Sequence, residues 1–376
     1  MKDKRNETLA EILLTYSVDL QPGEKLMLEI RGQDTLELAR EIIKQATRIG
    51  GVPFWYYNDP SFTRVWALGA SEEQMEAYGQ LHLALMKEID AWLLLHGPDN
   101  PFDLADVDGE QLQLYRRLYS EPVHLQERVN NTKWCILNYP TNSMAQLAEM
   151  SREAFEDFYY DVCCLDYARM SQAMGPLVEL MERTDVVRVV SPGTDLCFSI
   201  KGIPAIKCDG QDNIPDGEVF SAPVRDSVDG YITLNIPALE RGVLFNEIRL
   251  EFRDGRVVDA ACQGSARMLN EILDTDEGAR YTGEFALSLN PLIVRPMKDA
   301  LFDEKIAGSL HLALGDCDKD ASNGNQSAIH WDIVQVQTQE HGGGEIYFDG
   351  ELIRKDGRFV DERLEQSFSA EVLRKT

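Results

Sequence analysis

Basic residues are scarce in this chain of 376 residues, which carries 37 Lys and Arg against 64 Asp and Glu and has a formal net charge of −27. Proteins that bind nucleic acids or anionic membranes need a basic surface to meet the phosphates. We therefore expect neither nucleic acid nor a membrane as a partner. Apolar residues are plentiful, at 44% hydrophobic and 9% aromatic, so the composition predicts a folded core rather than disorder.

Long apolar runs are missing as well. The longest clusters, such as residues 91–95, are far shorter than the roughly 20 residues that span a bilayer. The N-terminus, Met-Lys-Asp-Lys-Arg, has no apolar stretch of the kind that a secretory signal requires. The seven cysteines are odd in number and show no Cys-x-x-Cys spacing, which favours reduced core thiols over a zinc site or a catalytic thiol. These features predict a cytoplasmic protein.

Common nucleotide-binding and nucleophile motifs are absent from the sequence. There is no Gly-x-Gly-x-x-Gly or Walker-type loop, and the glycine run at residues 342–344 lacks the Lys-Ser/Thr that a phosphate cradle needs. There is also no Gly-x-Ser-x-Gly elbow. The better candidates for chemistry are histidines and carboxylates in the second half of the chain.

The pattern of apolar residues changes near residue 180. Before that point, strand-like segments such as residues 25–30 alternate with helical patterns such as residues 35–49. This alternation predicts an α/β domain with a mostly parallel sheet covered on both faces. After that point strands dominate. We predict an α/β domain over residues 1–180 and a strand-rich α+β domain over residues 181–376.

Two local features add detail to this division. A long helical pattern at residues 151–184 is expected to break near Gly175-Pro176, because proline removes a helical hydrogen bond. In the second domain, Asp254-Gly255 lies between two apolar segments and predicts a β-hairpin.

His330 and Asp332 begin an apolar run that is typical of a strand. Side chains two residues apart in a strand share a face, so these two would project together while Trp331 packs behind them. His311 lies in another short strand, Leu-His-Leu-Ala-Leu-Gly, among apolar residues. Such a histidine is either a hydrogen-bonded core residue or a ligand, and its position alone leaves both open.

Glu218 and Glu284 each open a strand-like segment after a glycine. A carboxylate at the first position of a strand is usually solvated, and with 64 acidic residues in the chain no single one is informative. The set is more informative than its members. Two glutamates, two imidazoles and an aspartate suit one or two divalent ions with mixed nitrogen and oxygen ligation, and a bridging carboxylate can hold two metals.

At these same segments the sequence resembles the thermophilic metalloaminopeptidase family of the aminopeptidase T type. The resemblance covers nearly all of the chain and is strongest after about residue 190. The matching segments are residues 193–196 (GTDL), 213–220 (NIPDGEVF), 283–287 (GEFAL), 301–315 (LFDEKIAGSLHLALG) and 327–332 (SAIHWD). Their order and spacing fit the family, and their co-occurrence is far more specific than any one of them.

The resemblance implies a two-metal site and an activity. Its ligands would be Glu218, Glu284, His311, His330 and Asp332, with Glu284 as the bridge. The family removes N-terminal residues from peptides with a free N-terminus, uses zinc, cobalt or a similar divalent ion, and forms homodimers that enclose the active sites. Glu218 and Glu284 are the residues expected to take a catalytic part.

This chain departs from the family at one position. The family carries a tyrosine seven residues after its first ligand histidine, and the corresponding residue here is Asp318. A tyrosine hydroxyl donates a hydrogen bond to a tetrahedral intermediate, whereas an ionised aspartate cannot. Loss of one such donor typically costs about 10²–10³ in turnover.

The sequence therefore supports metal-dependent hydrolysis of an N-terminal peptide bond through a water activated by two metals. Two alternatives remain open. The first is a metallohydrolase that acts on a small non-peptide amide or a phosphoester. The second is a non-catalytic, dimeric protein that is stabilised by a structural metal.

Overall fold

The computed structural model describes residues 3–374 and divides by internal contacts into two compact units. The first comprises Met1–Cys164 with Gly210–Pro215, and the second comprises Leu165–Asp209 with Asp216–Thr376. The second unit thus begins before residue 181, because the helix after Leu165 packs on strands of that unit. The domain limits 1–180 and 181–376 stay a prediction.

The helices of the described chain are short to medium in length. In chain order the α-helices are α1 (Arg5–Ile12), α2 (Leu36–Ile49), α3 (Pro60–Ala67), α4 (Glu72–Met86), α5 (Gly109–Tyr115), α6 (Val129–Asn131), α7 (Asn142–Leu147), α8 (Arg152–Cys163), α9 (Tyr167–Glu182), α10 (Ala266–Leu273), α11 (Ala300–Asp303), α12 (Glu362–Ser367) and α13 (Ala370–Leu373). Segments Leu13–Ser17 and Arg116–Arg128 are wider, π-type helices, and Gln33–Thr35, Gly278–Arg280 and Gln339–His341 are single 3₁₀ turns.

Strands supply the sheets of both units. In chain order they are β1 (Lys25–Arg31), β2 (Val52–Asn58), β3 (Ala91–His96), β4 (Lys133–Asn138), β5 (Val186–Ser191), β6 (Thr194–Ser199), β7 (Ile206–Cys208), β8 (Asn213–Ile214), β9 (Glu218–Ser221), β10 (Asp229–Leu234), β11 (Ala238–Glu240), β12 (Val243–Arg253), β13 (Arg256–Gln263), β14 (Thr282–Ser288), β15 (Ser309–Gly315), β16 (His330–Val336), β17 (Glu345–Phe348), β18 (Glu351–Lys355) and β19 (Arg358–Phe359).

The sheet of the first unit has the order β2-β1-β3-β4-β8, and its paired strands are all parallel. Strands β1 and β3 are buried along almost their whole length. Continuous burial is typical of parallel strands that helices cover on both faces. Ser71 is the N-cap of helix α4, and its side chain accepts a hydrogen bond from the amide of Gln74 in a capping box. The predicted parallel α/β architecture is confirmed.

The predicted break of the helix at Gly175-Pro176 is wrong. The helical stretch is interrupted after Cys163, and α9 then runs through Pro176 without a break. The side chain of Asp166 accepts a hydrogen bond from the amide of Arg169, at 3.0 Å, so a new N-cap restarts the helix there. The cap, rather than the proline, sets the boundary between the two helices.

The second unit contains two largely antiparallel sheets, which confirms the strand-rich α+β prediction. The larger has the order β11-β12-β10-β6-β5-β17-β18-β19, with β13 paired to β12. The predicted hairpin joins β12 to β13, and Asp254 and Gly255 both have positive φ, at 48° and 79°. The smaller sheet has the order β16-β15-β14-β9-β7 and carries the candidate ligands.

Among residues 3–374, the helices are too short or too polar for any of them to pass through a lipid bilayer.

Candidate metal centre

Strand register places the candidate ligands on one face of the smaller sheet. Asp332 on β16 lies opposite Ala313 on β15, and Ala313 lies opposite Glu284 on β14. His311 and His330 each lie two residues from a member of this row, so alternation puts them on the same face. Glu218 opens β9 opposite Ser288, which shares the face of Glu284.

The residue between the two candidate ligands on β16 faces the other way. Trp331 is 4% exposed and packs on Phe245, with ring centroids 5.4 Å apart. The prediction that His330 and Asp332 project together while Trp331 packs behind them is therefore confirmed by the fold.

A β-bulge re-aims Glu284. The register between β14 and β15 shifts between Thr282 and Glu284, which leaves Gly283 as the extra residue. A Cβ at this glycine would lie 2.2 Å from the carbonyl oxygen of Asp316 and 2.6 Å from that of Gly315, so only glycine fits. Bulges of this kind commonly direct a side chain at an active site.

The five side chains converge within a few ångströms. Oε1 of Glu284 lies 3.0 Å from Nε2 of His311, and its Oε2 lies 3.7 Å from Nε2 of His330. Oδ1 of Asp332 lies 3.4 Å from Nε2 of His330 and 3.6 Å from Nε2 of His311. Oε2 of Glu218 lies 3.6 Å from Nδ1 of His311. The structure thus brings together every predicted site residue.

Both histidines are oriented by backbone carbonyls. Nδ1 of His311 lies 3.3 Å from the carbonyl oxygen of Glu304, and Nδ1 of His330 lies 2.8 Å from that of Asp316. An N–H at Nδ1 that donates to a carbonyl leaves Nε2 as the free, electron-donating nitrogen. In both rings Nε2 faces Glu284 and Asp332, which is the arrangement that metal-ligating histidines adopt. Glu218 lies near the other nitrogen of His311, with Oε2 3.6 Å from Nδ1.

These residues fit divalent ions. Ligand atoms of Glu218, Glu284 and His311 lie within 4.8 Å of one another, and so do those of Glu284, His330 and Asp332. Glu284 belongs to both groups. Within residues 3–374, Oε2 of Glu218 and Oδ1 of Asp332 are buried and have no hydrogen-bond partner. Buried, unpaired carboxylate oxygens are costly unless a cation meets them, and mixed carboxylate and imidazole ligation suits zinc and similar metals.

The protonation of the ion-free cluster reflects its crowded charges. Burial by itself lowers the pKa of His311, but the charge of Glu218 and the hydrogen bond to Glu284 raise it to about 10. The pKa of His330 is also raised, against the effect of burial, by Asp332 and Glu284. Burial raises the pKa of Glu284, whereas His330 holds that of Asp332 well below its ordinary range despite burial. Without ions, the raised pKa values of both histidines therefore favour charged imidazoles beside these carboxylates.

Three charged residues of this cluster did not emerge from the sequence. Lys305 is 1% exposed, and its Nζ lies 2.8 Å from Glu218 and 3.7 Å from Asp216. It also contacts Oε1 of Glu304. Burial by itself lowers the pKa of Lys305, but the carboxylates of Glu218 and Glu304 raise it above its ordinary value. In the sequence, Glu304 and Lys305 belong to the triplet Asp-Glu-Lys at residues 303–305, which lies between apolar residues. The charges of such a triplet do not by themselves indicate a role.

Asp318 lies in the loop between β15 and β16. Its carboxylate accepts a hydrogen bond from the amide of Asp320, at 2.7 Å. This contact is a local turn interaction. It gives Asp318 no hydrogen-bond donor of the kind that a tyrosine would supply.

The small side chain of Ala313 leaves room for the ligands to meet. Glu284 and Asp332 lie on strands that are separated by β15, about 10 Å apart at the backbone. Their carboxylates approach each other over Ala313, which is fully buried. Ala313→Leu is therefore expected to fill this space, weaken metal binding at least about tenfold and destabilise the fold by only about 1–3 kcal/mol.

This expectation is checked by metal titration and thermal unfolding of Ala313→Leu beside Leu312→Met. Leu312 neighbours Ala313 but points to the opposite face, and exchanging it for methionine conserves volume. The control should bind metal as the wild type does. Unchanged metal affinity in Ala313→Leu would contradict metal binding by the carboxylates that meet over β15.

Comparison with known proteins gives a consistent match. The family model described as thermophilic metalloprotease (M29) matches residues 2–359. Aminopeptidase 2 of Geobacillus stearothermophilus is 25% identical over 409 residues and covers 95% of either chain. Aminopeptidase AmpS of Bacillus subtilis (strain 168) is 32% identical over 346 residues, or 82% of this chain and 83% of that relative. The solved structure of wild-type AmpT from Thermus thermophilus is similar in fold, with a TM-score of 0.80 at 22% identity, covering 95% of this chain and 99% of that one.

Proposed function

Because the chain belongs to the thermophilic metalloprotease family M29, we propose that it is a metal-dependent aminopeptidase that removes the N-terminal residue of peptides with the help of two divalent ions. The relatives that support this proposal are named aminopeptidases. The observation that carries it is the convergence, on one face of a sheet, of two overlapping groups of ligand atoms that share Glu284.

We propose that Glu218, Glu284 and His311 hold one ion and that Glu284, His330 and Asp332 hold the other. When bound, such ions lower the pKa of a water toward neutrality and polarise the scissile carbonyl. The chain itself supplies the orientation of the ligands, through the carbonyl groups that fix both imidazoles. Glu284 is assigned as the shared ligand because its two oxygens face different histidines.

Proton transfer is assigned to a carboxylate of the cluster, with Glu218 as the candidate, while Glu284 takes its catalytic part as the shared ligand. Both are buried, at 4% and 7% exposure, so little bulk water reaches them. The free ammonium group of a peptide would be attracted by the negative net charge of the chain and would bind a metal or an acidic residue at the site. That attraction supports selectivity for the N-terminal residue.

We propose that Asp318 affects the turnover rate of the hydrolysis and not the type of reaction. Its carboxylate accepts a local hydrogen bond and offers no proton to a tetrahedral intermediate. We therefore propose that transition-state stabilisation is weaker here than in family members that carry the tyrosine, by about 10²–10³ in turnover if no other donor compensates.

The remaining features are proposed from the resemblance to the family. The ions are zinc, cobalt or similar, two copies associate as a homodimer, and the protein works in the cytoplasm. A net charge of −27 supports the exclusion of nucleic acid and anionic membranes as partners.

The proposal is tested with purified protein and a panel of leucyl and other aminoacyl amides, before and after chelation and return of zinc or cobalt. We expect hydrolysis that disappears on chelation and returns with the metal. Activity on phosphoesters or non-peptide amides, but not on the aminoacyl amides, would favour the alternative metallohydrolase. Metal that binds without any hydrolytic activity would favour a structural centre.

Metal binding is expected to release protons. An imidazole must be neutral to ligate a metal, whereas the pKa of about 10 keeps His311 protonated at neutral pH in the ion-free protein. The raised pKa also stabilises the ion-free fold fully below about pH 6.5, and this contribution is lost as the pH rises toward 10. Apparent metal affinity should therefore rise about tenfold per pH unit for each proton released.

Calorimetric titration at neutral pH in two buffers of different ionisation enthalpy measures this release directly. We expect about one proton or more per ion bound. Binding that is independent of buffer and of pH would contradict a role for His311 as a ligand.

A further inference from the structure

Lys305 brings a positive charge into the interior of the candidate metal centre. It follows α11, is 1% exposed, and its amino group contacts the carboxylates of Glu218, Asp216 and Glu304. A buried ammonium is costly unless it is paired, and here three carboxylates surround it. Lysine is seldom buried so completely, so its presence beside a ligand requires an explanation.

The ion pair with Lys305 makes the two oxygens of Glu218 different in their contacts. Oε1 lies 2.8 Å from Nζ of Lys305, so it accepts a charged hydrogen bond. Oε2 has no hydrogen-bond partner among residues 3–374 and lies 3.6 Å from Nδ1 of His311. Lys305 therefore fixes the rotation of the Glu218 carboxylate and leaves one defined oxygen on the side of the other ligands.

Lys305 also lies within a third set of ligand atoms. Cys208, Asp216 and Glu218 offer atoms that are all within 4.8 Å of one another, which is a spacing that a metal ion could use. Nζ of Lys305, however, is 2.8 Å from Glu218 and 3.7 Å from Asp216. The ammonium neutralises these carboxylates and repels a metal cation from the same place.

We propose that Lys305 is a positioning residue of the metal centre, which holds Oε1 of Glu218 so that Oε2 alone binds an ion. This inference rests on the proposed function, because it concerns ligands of the proposed ions. It adds to that function a residue that touches no metal and no substrate but determines how one ligand binds.

Positioning and simple electrostatics predict opposite effects when Lys305 is removed. Lys305→Met deletes a positive charge next to the ions, which by Coulomb's law strengthens the binding of cations. Loss of the fixed Glu218 carboxylate weakens it, as does the loss of other groups that orient ligands, by about 10–100-fold. A decrease in metal affinity in Lys305→Met therefore indicates positioning of Glu218, and an increase indicates electrostatic repulsion alone.

The test is a titration of the metal-free full chain with Co²⁺ alone, followed by the visible d–d absorption, which reports coordination. We expect two ions on the wild type. For Lys305→Met we expect one ion with wild-type affinity and one bound at least about tenfold more weakly with an altered spectrum. In a Glu218→Ala background, Lys305→Met should produce no further weakening, because the effect acts through Glu218.

Two more variants complete the experiment. Asp216→Asn removes a neighbouring charge but keeps the contact of Lys305 with Glu218, so both ions should still bind. Lys305→Arg keeps the positive charge but changes the length and shape of the side chain. Its affinity for the second Co²⁺ ion should fall in the same direction as in Lys305→Met, but by less. If Lys305→Met does not fold, Lys305→Arg decides the question, and unchanged affinity in that variant overturns the proposal.

The outcomes separate this inference from the proposed function. A wild-type chain that binds two ions, together with a Lys305→Met variant that binds both as tightly or more tightly, overturns the positioning role alone. Additional weakening by Lys305→Met in the Glu218→Ala background also overturns it. A wild-type chain that binds no Co²⁺ overturns the proposed function and this inference together.

Discussion

Replacing Glu284 with alanine is expected to abolish metal-restorable hydrolysis of aminoacyl amides, with a loss of at least about 10³-fold, since removal of a single stabilising group at an active site already costs about 10²–10³. Glu284 is the only residue common to the groups Glu218–Glu284–His311 and Glu284–His330–Asp332 among residues 3–374. Its removal therefore weakens both ion sites at once. Replacing a ligand that belongs to one group alone, such as His330, should weaken the binding of mainly one ion.

The measurement combines metal content after dialysis with turnover of a leucyl amide. Glu284→Ala should retain fewer ions than His330→Ala, and His330→Ala should retain fewer than the wild type. Glu271→Ala is the matched control, because Glu271 is a half-exposed carboxylate on α10 that pairs with Arg267 at the surface. Full metal retention in His330→Ala or Glu284→Ala would contradict the ligand assignment.

Gly283→Ala is expected to lower turnover by about 10²-fold, because a displacement of about 1 Å in a catalytic group can have that effect. The added Cβ would lie 2.2 Å from the carbonyl oxygen of Asp316, so the backbone must move. That carbonyl also orients His330, at 2.8 Å from Nδ1. One methyl group thus disturbs Glu284 through the bulge and His330 through the loop.

The matched control is Gly175→Ala in α9, where an added Cβ meets no atom within 4 Å. Alanine is favoured over glycine inside a helix, but the ring of Pro176 crowds a Cβ on the preceding residue, so this variant is used as a control for turnover and metal affinity, which should match those of the wild type. Gly283→Ala should also lose roughly 1–3 kcal/mol of stability through overpacking. Wild-type turnover and metal affinity in Gly283→Ala would show that the bulge does not aim Glu284.

The sequence was informative about the candidate site through motifs rather than through single residues. Glu218 and Glu284 are unremarkable among 64 acidic residues. They became candidates because each lies in a segment that resembles the family, in the right order and spacing. Lys305 lies in one of these segments too, but nothing in its neighbours along the chain reveals that its amino group meets Glu218, 87 residues away.

Local sequence also misplaced one boundary. Gly175-Pro176 looked like the end of a helix, yet α9 continues through it, and the interruption occurs where Asp166 caps a new helix. A proline is only one contribution to the stability of a helix, and packing of the rest can outweigh it. The cap is a contact between a side chain and an amide three residues later, which sequence patterns indicate less strongly than proline.

The sequence by itself determined the α/β and strand-rich halves, the hairpin at Asp254-Gly255 and the face shared by His330 and Asp332, because these follow from periodicity and turn chemistry within a few residues. Only the tertiary structure decided that β9, β14, β15 and β16 are neighbours in the register that brings Glu218, Glu284 and the histidines together. Pairing between distant strands depends on which surfaces bury each other, and a shift of one residue would turn the ligands to the opposite face. The metal centre is therefore a property of the sheet rather than of any one of its strands.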